Sequence, residues 1–177
     1  MALGDITPYE AVDGGSLASR SHQVKANASY PIINAGEPVS KTLGNQYVLA
    51  GVNATPLVNQ AITSAWAGIA ATTSNETTSV DGTVQVIPLG FGSQMWLNTP
   101  LSTSTYGVGS TPNQTTYNAL VGARVCMQLT SGTYNILATD NNKNGLVVEN
   151  LDVIRYPGKV AFSVVPGASY LGIGYLS

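Results

Sequence analysis

Apolar and polar positions alternate most cleanly in the last third of the chain. Over residues 123–129, Ala123, Val125, Met127 and Leu129 share one face and Arg124, Cys126 and Gln128 the other. That is the two-residue period of a strand. Ser131-Gly132 is a hairpin signal, and residues 134–139 run back. A polar turn at 140–145 precedes strands expected at 146–148 and 151–156. In the second of these, Leu151, Val153 and Arg155 alternate with Asp152, Ile154 and Tyr156, so its buried face is ambiguous. Pro157-Gly158 turns the chain into 159–165, with Val160, Phe162 and Val164 on one face, and a closing strand is expected at 170–176. Earlier, Ala35-Gly36-Glu37-Pro38 reads as a turn and residues 47–50 as a strand stopped by Gly51. Residues 65–99 read as a β-meander: an apolar run at 66–71, a polar loop ending in Asp81-Gly82, an alternating strand at 83–87 halted by Pro88, and a strand at 95–97. No amphipathic helix of more than three turns and no fixed-period repeat is present.

Two stretches break this pattern. In residues 1–29, Ile6, Tyr9 and Val12 recur every three positions, and Pro8 and Gly14-Gly15 limit any helical turn they could make. Leu17, Arg20, Lys25 and His22 follow on a Ser/Asn-rich tether. The segment reads either as a loose terminus or as an extended N-terminal arm that orders on a neighbouring subunit and buries Ile6, Tyr9, Val12 and Leu17 there. Residues 99–118 carry many turn formers and no periodicity, which predicts a long surface loop. The fold class expected is therefore all-β: an antiparallel β-sandwich or barrel-like domain over 30–177, with an extended N-terminal arm over 1–29.

Composition narrows the function. Of 177 residues only 9% are charged, against a usual share of about 25%. Yet 44% are hydrophobic, which argues against disorder. So few charges leave a free monomer poorly solvated, and a surface covered by partners explains them better. The net charge is −2 and the seven basic residues are scattered, so no direct nucleic-acid contact is expected. Cys126 is the single cysteine, which rules out an intrachain disulfide. The opening MALGDITPYEAVDGG reads as no signal peptide, and no stretch reaches the length of a membrane span. The sequons at Asn27, Asn53, Asn75 and Asn113 are expected by chance in so Asn/Thr-rich a chain.

Candidate chemistry is sparse. One His and one Cys, His22 and Cys126, cannot make a four-ligand zinc site. As a nucleophile and base they are poorly placed: His22 falls in the arm and Cys126 mid-strand with no base near it in sequence, so Cys126 reads as a packed residue and His22 as a polar contact. Glu76, Asp81, Glu149 and Asp152 are the carboxylates that could pair for glycoside hydrolysis, but they lie in turn-rich loops. Asp140-Asn141-Asn142-Lys143-Asn144-Gly145 fits the first half of a calcium loop, but Leu151 stands where the closing Glu belongs. A plain Asn-Gly turn is the better reading. No catalytic residue, metal or cofactor is expected, and the chain is expected not to be an enzyme.

From Tyr30 to Thr99 the chain resembles capsid decoration (cement, head-stabilisation) proteins of tailed bacteriophages. The resemblance is carried by Ala35-Gly36-Glu37-Pro38, Tyr47-Val48-Leu49-Ala50, Gly68-Ile69-Ala70 with its Thr/Ser-rich tail, Asp81-Gly82-Thr83-Val84-Gln85-Val86 and Pro88-Leu89. Val121-Gly122-Ala123-Arg124-Val125 and Pro157-Gly158-Lys159-Val160-Ala161-Phe162 are similar to β-rich phage virion proteins more generally. The resemblance implies synthesis in the host cytoplasm and a place on the outer capsid surface of the virion, with major capsid protein as partner and a trimer or dimer as the assembly. With the composition, it makes Ile6, Tyr9, Val12, Leu17, Arg20, Tyr106 and Tyr117 the candidate partner-binding residues. The alternative is a receptor- or glycan-binding β module of a fibre or tail, with Trp66, Trp96, Tyr106 and Tyr117 as candidate aromatics. The two tryptophans, in apolar segments, read as core.

Overall fold

A computed structural model describes residues 6–11, 18–26, 33–42, 48–50, 64–88, 94–130, 133–137 and 146–164. Their strands are β1 (Thr7–Ala11), β2 (Arg20–Val24), β3 (Pro38–Thr42), β4 (Val48–Ala50), β5 (Ser64–Ala70), β6 (Gly82–Ile87) and β7 (Gln94–Asn98). A short helix, α1 (Gln114–Asn118), separates these from β8 (Arg124–Thr130), β9 (Thr133–Leu137), β10 (Leu146–Val148) and β11 (Val160–Val164). The strands form two antiparallel sheets, one ordered β1-β7-β11-β10-β8-β9 and the other β2-β6-β5-β3-β4. The expected all-β class is what the chain adopts.

The larger sheet curls. Beyond β7 the chain continues to Pro100, which bridges Ile136 of β9 in parallel. Ile136 N–H donates to Thr99 O at 3.1 Å, and Leu101 N–H to Ile136 O at 2.8 Å. These bonds join the two ends of a five-strand run and remove an open edge. Inside lie Trp96, Tyr106, Tyr117, Met127, Tyr134, Ile136, Leu146 and Phe162. The smaller sheet rolls as well, bringing its outer strands β2 and β4 together. One of its faces sends Trp66 and Ile69 into the large core, and the other wraps a small core of Val24, Ile33, Val39, Ala67, Ala70, Val84 and Val86.

Several expectations need correction. Residues 65–99 are not a meander: β5 and β6 pair, but β7 crosses to the other sheet, between β1 and β11. The segment read as an arm supplies an outer strand to each of the chain's own sheets, β1 against β7 and β2 against β6. The register of β1 shifts between Pro8 and Glu10, a bulge at Tyr9. An extra residue there breaks the two-residue period along the strand. Residues 151–156 form turns rather than a strand. Asp152 Oδ1 accepts the N–H groups of Ile154 (3.0 Å) and Arg155 (3.1 Å), and Tyr156 N–H donates to Asp152 O at 3.0 Å. A carboxylate that captures its own backbone in this way competes with a ladder.

Candidate interaction surface

The loop at 99–118 is held from inside. Gly107, at φ +66°, reverses the chain where a Cβ would lie 2.5 Å from Asn113 O. Asn113 then caps α1, its Oδ1 accepting Thr116 N–H at 3.1 Å. That places Tyr117 in the core with its hydroxyl donating to Glu149 O (2.9 Å) and accepting Ala161 N–H (3.0 Å). Burial is the main cause that pushes the Tyr117 phenol up to about 12. Tyr106 is 1% exposed and Tyr117 0%. Both are therefore core residues and not partner contacts, because the segment that carries them fills the large core.

The other candidates divide. Ile6 is buried in the large core and Tyr9 stands at the bulge of β1. Val12 and Leu17 lie outside the described residues, as does the Asp140–Gly145 turn. Arg20 opens β2 and is exposed. Trp66 and Trp96 are core, as expected. The carboxylates do not converge. Asp81 accepts Ala26 N–H at 2.8 Å, Glu149 accepts the Ser163 hydroxyl, and Asp152 holds its turn. Cys126 is buried on β8 and His22 sits on the other sheet. Among the described residues no group of three or more His, Cys, Asp or Glu could hold a metal, and no helix is long and apolar enough to cross a membrane.

Two surface features remain. An open groove of about 590 Å³ is lined by Gln114, Asn118, Asn150, Leu151, Asp152 and Ile154. Its central amide is engaged internally: Gln114 donates to Asn118 Oδ1 and Leu151 O and accepts Val153 N–H. The second feature is the basic end of the smaller sheet. Directly paired residues of an antiparallel ladder point to one face. Arg20 pairs with Val86 and His22 with Val84, so both share the face of the small core. On β3, Lys41 lies two residues from buried Val39 and has the same parity. The registers put Val24 at one end of this face and Arg20 and Lys41 toward the other.

Burial holds the His22 imidazole below its usual range, and the Lys41 and Arg20 charges push it further down. The alternating 20/22/24 and 39/41 positions were the signal in the sequence, obscured because β2 fell in the segment read as an arm and β3 begins at Pro38, the last residue of the expected turn. No known protein family, characterised protein or solved structure matches the chain.

Proposed function

We propose that the chain is a structural virion protein that binds the outer surface of an icosahedral phage capsid and stabilises contacts between major capsid protein subunits, as a dimer or trimer. The observation that carries this reading is an all-β body with very little charge: nine acidic and seven basic residues in 177. Such a body gains little from solvation as a free particle and suits a lattice that covers part of it. Exposed apolar side chains stand at separate points of the surface: Val80 at the tip of the β5–β6 loop, Leu101 after β7, Val121 after α1 and Ile154 beside the groove. The hydroxyl-rich loop holding Val80 is braced by its own bonds, with Thr77 Oγ1 accepting Val80 N–H at 3.0 Å and Asn75 Oδ1 accepting Thr83 N–H at 2.7 Å. A preformed tip loses little entropy on docking. The glycan-binding alternative loses its candidate aromatics, since Trp66, Trp96, Tyr106 and Tyr117 are all buried.

The test is to add purified protein to heads that lack it. Saturable co-sedimentation and a higher temperature of head disruption are expected. Heads that neither bind it nor gain resistance to heat would overturn the reading.

A further inference from the structure

We propose that the groove between α1 and the turn at 150–154 binds a segment of a neutral glycan chain, through the side chains of Asn118, Asn150, Asp152 and Ile154. The groove holds about 590 Å³, within the range of small-molecule sites. Its lining belongs to the stretches 94–130 and 146–164, each described without a break. Gln114 and Asn118 stand four residues apart, on one face of α1. Gln114 Nε2 donates to Asn118 Oδ1 at 2.7 Å and to Leu151 O at 2.8 Å, and its Oε1 accepts Val153 N–H at 3.0 Å. Gln114 thus ties the two walls together and keeps no donor for a ligand. The same bond orients the Asn118 amide: Oδ1 is occupied, and Nδ2 carries two N–H donors with no partner among the described residues. Asp152 is fixed as well, because Oδ1 accepts the N–H groups of Ile154 and Arg155, which leaves Oδ2 to accept from outside. The Asn150 side chain, exposed beyond the Val148 end of β10, makes no hydrogen bond among the described residues. Ile154, 75% exposed, supplies an apolar side chain to the lining.

The chemistry selects the occupant. A sugar hydroxyl donates and accepts at once, so neighbouring hydroxyls of a ring match a carboxylate oxygen set beside amide N–H donors. The C–H face of the ring matches Ile154. The lining holds one charge, the Asp152 carboxylate, and no cation, so phosphates, nucleic acids and sulfated sugars are repelled. An open groove also lets a chain continue at both ends, which a closed pocket would not. Side chains already held in place lose little entropy when the ligand arrives. The site needs none of the buried aromatics Trp66, Trp96, Tyr106 and Tyr117. The inference is independent of the shell-binding reading: heads that dock through another face leave it untouched, and a glycan held here says nothing about heads.

The experiment is an NMR titration of the isotope-labelled full chain with maltotriose and, in a second series, with triacetylchitotriose. The side-chain amide signals of Asn118 and Asn150 are the readout. Saturable shifts of both are expected with at least one trisaccharide, at millimolar concentrations, with weaker binding of glucose. Asn150→Ala and Ile154→Ser should each raise the dissociation constant roughly fivefold. Val80→Ser, at the exposed tip of the β5–β6 loop, is the control and should keep the affinity. The backbone amide pattern in the same spectra checks the fold of each variant. Still signals with both trisaccharides, equal affinity for glucose, or unchanged binding in both groove variants would each overturn the proposal. So would tighter binding of an end-blocked trialanine peptide at the same two amides, which would assign the groove to a peptide.

Discussion

The two cores differ in what fills them. The larger sheet wraps Trp96, Tyr106, Tyr117, Tyr134 and Phe162 and has the ends of its strand run joined. The smaller sheet wraps four valines, two alanines and one isoleucine, and its rim carries cations. Large rings bury more area per residue, and stabilisation follows apolar area at roughly 25 cal/mol per Å². The larger core therefore contributes more to stability than the smaller one. Phe162→Ala should cost about 3–5 kcal/mol, and Val84→Ala roughly 1–3 kcal/mol. Denaturant melts of both variants check this, and equal losses would break the comparison.

What the small core lacks in rings it recovers in backbone closeness. A Cβ at Gly68 would lie 2.0 Å from Ile87 O and 2.6 Å from Val86 Cγ1, so β5 and β6 meet there with no room for a side chain. Opposite, the β3–β5 register shifts between Val39 and Ser40, which pair with Gly68 and Trp66 and leave Ala67 as the extra residue. Gly68→Ala should destabilise by about 2–3 kcal/mol, as overpacking does. A thermal melt unchanged by this substitution would mean that the small sheet tolerates loosening, against the account given above.

How legible this was in the sequence followed the regularity of each strand. β6, β8, β10 and β11 were readable because their period is uninterrupted, and Trp66 and Trp96 were readable as core because they sit in apolar runs. β1 was hidden by the bulge at Tyr9, and β3 by its Pro38 start directly after the Ala35-Gly36 turn. The burial of Tyr106 and Tyr117 was hidden by distance: their partners Glu149 and Ala161 lie 32 and 44 residues from Tyr117, and no local period reports such contacts. Among the candidate contacts whose side chains the structure describes, Arg20 alone is exposed.

Within the large core, polarity should matter only where it ties backbone together. Tyr117→Phe strips the hydroxyl that serves Glu149 O and Ala161 N, leaving two backbone groups unpaired, and should cost about 1–3 kcal/mol. The Tyr106 hydroxyl has no protein partner among the described residues, so Tyr106→Phe should fall within about 0.5 kcal/mol of the parent. Paired denaturant melts give the difference, and equal losses would show that ring packing alone does not hold this core.

The smallest expected effect is a pH slope at the junction of the two sheets, where the Tyr134 hydroxyl of β9 donates to Glu37 Oε1 at 3.2 Å, next to β3. Burial raises the Glu37 carboxyl above its ordinary range, and the bonds from Asn34 and Tyr134 offset only part of that. An acid with a raised folded pKa holds its proton longer when folded than when unfolded, so stability falls as pH rises from the unfolded value toward the folded one. His22 acts in the opposite sense. Its folded pKa is depressed, so stability rises with pH up to about 6.5, the unfolded value, and is lost as pH falls through the folded one. Glu37→Gln removes the first slope and leaves the second. Melts of that variant between about pH 4 and 7 should therefore climb more steeply with pH than those of the parent. Parallel profiles would mean that Glu37 is not kept from water at this junction, and the two cores would then meet through a wetter contact than the Tyr134 bond implies.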